Sequence, residues 1–370
     1  LGALLLSGMV GYLLSTFYSG TIVARLGVGR LLLCSGLLIV ASSLGYALAP
    51  AWWVMVCFGV VSGLGAGAID AGLNAFAAKH FTPRVMNWMH AFYGVGAMTG
   101  PLLATALLVR GWSWRWGYGG VAMMLAAMSV LFLLTLKLWE DHDRSDGSAD
   151  AAAAAAASRA GPDAADPPAG IALALRHPMV WLHVALFFAY AGVEATAGQW
   201  AFSLFTEGRG IRADRAGTAV GLYWGSLAAG RLVIGYLAGH FAADAILRAT
   251  MLIAPLVIGV IWLNVSTAVS LIALSVLGFV LAPMFPLLVS RTPARVGHRL
   301  AAHAIGFEVA AAYLGIAGGP AMTGVLARRS SLEVLNPVLM TCAIAVLVLH
   351  ELVLRRSRNL SAPPASNASP

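Results

Sequence analysis

Tyr93-Gly94-Val95-Gly96-Ala97-Met98-Thr99-Gly100-Pro101 stands inside a long apolar run that closes at Arg110, and a second stretch, Ala312-Tyr313-Leu314-Gly315-Ile316-Ala317-Gly318-Gly319-Pro320, stands inside another that closes at Arg329. An offset of 219 residues lays Gly96 on Gly315, Gly100-Pro101 on Gly319-Pro320 and Arg110 on Arg329. Two copies of one glycine- and proline-punctuated apolar segment are the mark of an internal repeat.

The solvent in which such a repeat folds follows from the rest of the chain. Of its 370 residues 60% are hydrophobic and only 10% charged, with a mean hydropathy of +0.83. A soluble domain has no means of covering that much apolar surface, whereas a bilayer accepts it in runs of about 20 residues. Apolar runs bounded by Arg, Lys, Asp or Pro fall at 1–23, 31–48, 52–78, 85–109 and 118–138, then at 178–205, 216–239, 245–263, 266–290, 300–327 and 335–354. The expected fold is therefore all-α and integral to a membrane, with about 11 transmembrane helices in two pseudo-repeated halves, 1–138 with five spans and 177–356 with six. Because the repeat pairs the fourth span of the first half with the fifth of the second, the first half reads as lacking its opening helix, and a start at Leu1 instead of Met agrees with truncation.

Between the halves, 139–176 carries the acidic run Glu140-Asp141-His142-Asp143, the alanine tract Ala151 to Ala157 and three prolines, Pro162, Pro167 and Pro168. That composition predicts a disordered linker, with a short surface helix over the alanines as the alternative; 357–370 reads as a disordered tail. Counted over alternate connections, fifteen of the 23 Lys and Arg residues lie on one side and seven on the other, with Arg231 inside a span. The positive-inside bias puts the richer side, including the linker and C-terminus, in the cytoplasm and the chain in the cytoplasmic (inner) membrane as a multi-pass protein. The net charge of +8 is thus a topology signal. Arginines scattered between apolar spans, with no aromatic-interleaved basic segment, exclude a nucleic-acid partner. Cys34, Cys57 and Cys342 lack metal or haem spacing and read as small buried side chains. No nucleophile elbow, phosphate loop or metal-ligand cluster is present, so the reading is of no enzyme, no cofactor and no metal.

Gly20-Thr21-Ile22-Val23-Ala24-Arg25-Leu26-Gly27-Val28-Gly29-Arg30 resembles the signature loop of the major facilitator superfamily. It keeps Gly20, Arg25, Gly27 and Arg30 but has Ala24 where the signature carries an Asp, which removes the acid of the gating ion pair the resemblance implies. Gly63 to Asn74, Asn87 to Gly96 and Tyr190 to Trp200 are similar to the fucose permease branch of sugar:proton symporters. There the resemblance implies functional roles at the places of Asp70 and Asn74, of Asn87 and His90, and of Glu194. Gly278 with Pro283-Met284-Phe285-Pro286, and Gly306-Phe307-Glu308-Val309, resemble that branch's tenth and eleventh helices.

An ionisable side chain inside a membrane costs several kcal/mol, so each one marks a pathway or a partner. Asp70 and Asn74, four apart, share a helix face with Gly63 and Gly67. His90 enters the next, antiparallel span at about the depth of Asp70. Apolar surroundings disfavour a charged carboxylate and a nearby imidazolium favours it, so access changes can load and release a proton. Asp70, His90 and Glu194 are the proton-coupling candidates; a structural hydrogen bond from Asp70 to His90 or Asn87 is the plainer alternative. Glu194 and Arg231 reach one depth in adjacent spans and should meet, as a gate, as a solute-orienting pair or as a static bridge. Asn74, Asn87, His90, Gln199 and Trp200 are the solute-binding candidates. An indole face packs on a sugar ring and an amide binds hydroxyls, although Trp200 also suits an interfacial anchor. Glu308, Arg25 and Arg30 complete the list as gate or loop contacts. Trp52, Trp53, Trp112, Trp114 and Trp116 lie at span ends as a belt.

The function these features point to is secondary active transport of a small polar solute, a sugar among the candidates, by alternating access and coupled to protons, with the solute, protons and the lipid bilayer as partners. Two alternatives stand beside it. One is drug or metabolite:proton efflux, since Gly96-x-x-x-Gly100-Pro101 also resembles the Gly-Pro motif of drug:proton antiporters, although Ala104-Thr105 stand where that motif has a glycine pair. The other is a non-transporting truncated membrane protein.

Overall fold

The computed structural model describes residues 2–139 and 170–361, and among them every regular element is helical. The helices are α1 (Gly2–Leu26), α2 (Val28–Leu48), α3 (Trp52–His80), α4 (Pro83–Val109), α5 (Trp114–Leu134), a short α6 (Ile171–Arg176), α7 (Pro178–Ser203), α8 (Ala213–Leu237), α9 (Ala243–Leu263), α10 (Thr267–Leu281), α11 (Met284–Val296), α12 (His298–Arg329) and α13 (Leu335–Ser361). A π-turn, Leu204–Gly208, extends α7, and a single 3-10 turn, Leu332–Val334, leads into α13.

Among the described residues, eight helical segments are long and apolar enough to cross a bilayer. The helices α1, α4 and α8, of 25, 27 and 25 residues, have the length as well. Large apolar side chains on the outside require lipid, not water: Met123 is 73% exposed, Leu134 77% and Leu256 70%. The chain is a multi-pass membrane protein of all-α architecture.

The span expected at 266–290 stands as one candidate crossing, Thr267–Val296, which breaks into α10 and α11 at Pro283, a residue with no N–H to continue the ladder. Two expectations need amending. Cys34 and Cys57 are exposed, on faces turned away from the packed core. Helix extends past Arg356 to Ser361. The span 140–169 and residues 362–370 lie outside the described residues, so the readings of the linker and the end of the tail fall there; at the linker's described edges, Trp139 and Ile171–Arg176 are helical. Trp139 is held by Phe76, ring to ring at 5.1 Å, and by Gly29, where a side chain would stand 2.5 Å from the Trp139 Cβ.

The chain forms two compact units. The first comprises Leu1–Arg176 with Val289–Tyr313, the second His177–Leu288 with Leu314–Pro370. In the first, α1 lies along α3 with backbones in contact. A Cβ at Gly63 would stand 2.7 Å from the Tyr12 nitrogen, and one at Gly67 would meet the Tyr12 carbonyl and the Ser15 hydroxyl. Small residues at i and i+4 allow this approach, and dispersion between the close backbones holds it where no hydrophobic force acts between helices in lipid. The α1–α2 turn is a single residue, Gly27, at φ 75°, a left-handed conformation that favours glycine. The opening turns of α12 also pack on α1, with Phe307 4.9 Å from Phe17, ring to ring, and Gly306 against Thr16 and Ser19.

In the second unit Gly278 of α10 seats against Tyr223 and Ser226 of α8, and Gly230 of α8 would place a Cβ 2.7 Å from that of Ala282. On the other side of α7, Gly319 lies against Gly192 and Thr196, a Cβ there standing 2.7 Å from the Thr196 hydroxyl. Each unit is thus a set of helices brought to backbone contact at glycines, which fixes its few polar side chains to within hydrogen-bonding tolerance.

Candidate functional site

The α1–α3 contact at Gly63 and Gly67 presses Tyr12 onto the next turn of α3, where Asp70 lies. Tyr12 Oη donates to Asp70 Oδ2. The other carboxylate oxygen, Oδ1, accepts from Asn74 Nδ2 at 2.7 Å, and the same nitrogen lies 2.9 Å from the Asp70 carbonyl. With its amide nitrogen so engaged, Asn74 turns its oxygen to α4, where His90 Nε2 lies 2.9 Å away. That contact requires the proton on Nε2, since an amide oxygen only accepts. Tyr12, Asp70, Asn74 and His90 form one chain of hydrogen bonds across three helices. Tyr313 of α12 closes it on one side by stacking on Tyr12, with centroids 4.2 Å apart and planes 22° off parallel.

Asp70 and His90 are therefore joined through Asn74, and neither His90 nor Asn87 is among the donors to Asp70. Asn87 is fully buried and its Nδ2 bonds back to the Pro83 carbonyl at 2.8 Å, a local contact that fixes the start of α4.

The second unit holds another polar cluster. Glu194 on α7 receives the hydroxyl of Tyr190, one helical turn earlier, on Oε2. The same oxygen lies 3.5 Å from Arg231 Nη2 of α8, and Arg231 Nε donates to the Ala282 carbonyl at 3.3 Å. Tyr223 Oη donates to the main-chain oxygen of Glu194 at 2.8 Å. The Ala282 carbonyl is available because the residue four positions on, Pro286, has no N–H to donate to it.

Gln199 and Trp200 stand apart from this cluster. At 100° per residue they sit 140° and 120° around the helix from Glu194. Gln199 is exposed, and Trp200 donates its indole N–H to the Pro320 carbonyl at 2.9 Å while its ring fills the space over Gly324. Glu308 is fully buried, with Thr292 Oγ1 3.0 and 2.9 Å from its two oxygens. Arg25 and Arg30 are exposed on either side of the Gly27 turn.

Sequence reasoning missed the tyrosines. Tyr190 carried a signal, since it lies four residues before Glu194 on one helix face. Tyr12 and Tyr223 carried a subtler one: α1 and α8 are both 25 residues long, and each tyrosine occupies the same place in its helix. Each binds an acidic residue of a neighbouring helix, Tyr12 through the carboxylate and Tyr223 through the carbonyl.

The family description "Major Facilitator Superfamily" matches residues 1–360. The chain belongs to the Major Facilitator Superfamily. Among individual proteins, Bypass of stop codon protein 6 of Saccharomyces cerevisiae is 23% identical over 362 residues, 92% of this chain and 72% of that protein. The fold of this superfamily member is that of a solved variant of the Escherichia coli fucose:proton symporter FucP, at a TM-score of 0.75 and 14% identity, covering 95% of this chain and 90% of that one. The human organic anion transporter MFSD10 gives 0.68 at 18% identity over 95% and 83%. The proton:xylose symporter XylE gives 0.69 at 13% over 94% and 84%. At these identities the structural likeness speaks for the fold alone.

Proposed function

We propose that this chain is a proton-coupled secondary transporter that moves a small polar solute by alternating access, with Asp70 as its proton-binding carboxylate. It resides in the cytoplasmic membrane with the central linker and C-terminus on the cytoplasmic side, the orientation its basic residues favour. The observation that carries the reading is the bonding of Asp70: an acid within a membrane helix whose two oxygens both accept, one from Tyr12 and one from Asn74, with Asn74 bonded on to His90.

Such an arrangement is sensitive to a single proton. A carboxylate only accepts, and both of its partners are placed to donate. A proton on Asp70 Oδ2 can be donated to Tyr12 once that hydroxyl turns its own hydrogen away, whereas a proton on Oδ1 faces the Asn74 N–H, so that bond breaks or the amide turns. A turned Asn74 amide presents N–H to His90 Nε2, so that contact breaks or the imidazole moves its proton to Nδ1. Protonation is in this way tied to the contacts of α3 with α1 and α4, which gives a carrier a means of coupling proton occupancy to helix movement. Solute symport is favoured by the fold neighbours described as a fucose:proton symporter and a proton:xylose symporter.

The test is solute-dependent proton movement. Proteoliposomes holding a pH dye inside are given neutral hydroxylated solutes, one at a time, without an imposed gradient. The expected result is acidification of the lumen on solute entry by the wild type and none by Asp70→Asn. Solute entry with no proton movement in the wild type would overturn the coupling.

A further inference from the structure

A groove between α8 and α10 of the second unit is lined by none of the residues of either polar cluster, and it measures about 450 Å³, as much as a small-molecule site. Its mouth lies at the first turn of α8, with Asp214 and Arg215. Its floor is Leu222 of α8 with Leu271 and Ile272 of α10, and Ser275 is the polar side chain there. Leu222 is 57% exposed and Ile272 63%, so the floor offers apolar surface to whatever fills the groove. Arg215 is the third residue of α8, and the seven residues from it to Leu222 cover about 10 Å of helix. In a hydrocarbon layer about 30 Å thick, that length runs from the boundary well into one leaflet. An occupant is therefore polar at one end and apolar along the rest.

The mouth carries a net positive charge. Arg212 and Asp214 satisfy each other, Nε to Oδ1 at 3.1 Å and Nη2 to Oδ2 at 2.8 Å. Arg215 has no hydrogen bond or ion pair among the described residues. No side chain caps the amides that open α8, so the helix adds its own positive end.

We infer that this groove binds a singly anionic phospholipid, with one acyl chain on Leu222, Leu271 and Ile272 and the phosphate at Arg215. A guanidinium fork matches two phosphate oxygens, and basic groups between transmembrane helices hold anionic headgroups. Charge selects within the lipids. A choline or ethanolamine ammonium finds no free acid at the mouth, because both oxygens of Asp214 are held by Arg212. A glycerol headgroup adds no charge beyond its phosphate and neutralises Arg215 without that mismatch. The bilayer itself supplies such a molecule at the depth the groove requires. The site stands apart from the proton and solute machinery and asks nothing of it.

The experiment is native mass spectrometry of the purified full chain, released from detergent after incubation with equal amounts of phosphatidylglycerol and phosphatidylcholine of the same acyl chains. Wild type, Arg215→Gln, Leu222→Trp and Arg329→Gln are compared. All three positions are exposed, so none of the changes disturbs a packed core. We expect the wild type to retain a single phosphatidylglycerol in preference to phosphatidylcholine. Arg215→Gln should lower that preference roughly fivefold, the worth of one basic group near an anionic headgroup. Leu222→Trp fills the floor and should reduce retention of both lipids. Arg329→Gln, an equal loss of charge at the end of α12, should change neither. Equal retention of the two lipids by wild type, a preference unchanged in Arg215→Gln, an equal fall in Arg329→Gln, or retention undiminished in Leu222→Trp would each overturn the assignment. A further arm with laurate separates two sources of the same chemistry. Phosphatidylglycerol should persist, and its displacement by laurate at equal concentration would overturn the phospholipid in favour of a single-chain acid. Because neither solute nor proton gradient enters the assay, failure of the carrier reading would leave this result standing.

Discussion

Gly63→Ala adds one methyl group where α1 and α3 touch, and its consequence can be worked from distances. The new Cβ would stand 2.7 Å from the Tyr12 backbone nitrogen and against the Gly8 carbonyl, where ordinary contact begins at 3.4 Å. Both obstacles are main chain, so no side chain can swing aside and the helices must part at that turn by at least about 0.7 Å to clear the Tyr12 nitrogen and by more to clear the nearer Gly8 carbonyl. Overpacking of this kind costs about 1–3 kcal/mol. Loosening the Tyr12 bond to an ionised carboxylate adds about 1.5–3 kcal/mol, against roughly 0.5–1 kcal/mol regained because alanine is the better helix former. The net loss of about 2–5 kcal/mol corresponds to a drop of roughly 3–6 °C in the midpoint of thermal unfolding, read by intrinsic fluorescence in detergent. The control is Gly120→Ala on α5, where a Cβ meets nothing within 4 Å and only the small helix-forming gain remains. A Gly63→Ala midpoint within about one degree of wild type, or an equal fall in Gly120→Ala, would refute the claim that backbone contact at Gly63 positions Tyr12.

Further outcomes follow from the same geometry. Arg231→Met alone should cost about 3–5 kcal/mol because it strands the Glu194 carboxylate, and the double variant with Glu194→Gln should recover most of it; a denaturation cycle in which the double is no more stable than the single would contradict a paired, buried bridge. Trp200→Phe removes one hydrogen bond to Pro320 and some packing over Gly324, so it should lower stability by about 1 kcal/mol while leaving the KM for solute unchanged. A raised KM would place the indole at the solute. Tyr12→Phe keeps the stack on Tyr313 but removes a donor from Asp70, so solute binding measured by thermal shift should persist while proton-driven accumulation falls.

Much of this architecture is legible from residues alone. Eleven apolar runs give the spans because lipid leaves the chain no alternative to helix. Glu194 and Arg231 can be matched in depth by counting along antiparallel spans, and they lie 3.5 Å apart. Rotation is where residue counting fails. Gln199 and Trp200 share the depth range of Glu194 but sit on other faces of α7, and only the packing of Gly324 under the indole shows what Trp200 touches. Counting depth also could not reveal that Asn74 stands between Asp70 and His90, since that depends on which way an amide turns once its nitrogen is taken by Asp70. The tyrosines escaped notice because a phenol in an apolar run passes for a hydrophobic side chain until its hydroxyl's partner is known.

The central claim is that Asp70 carries the coupled proton, and the most direct test separates exchange from accumulation. Vesicles containing Asp70→Asn, loaded with unlabelled solute, are assayed for uptake of labelled solute by counterflow, and the same preparation is assayed for uphill accumulation under an inward proton gradient. A carrier that has lost its proton site but kept its solute site should exchange at a rate comparable to wild type and fail to accumulate. Accumulation at the wild-type level by Asp70→Asn would contradict the account.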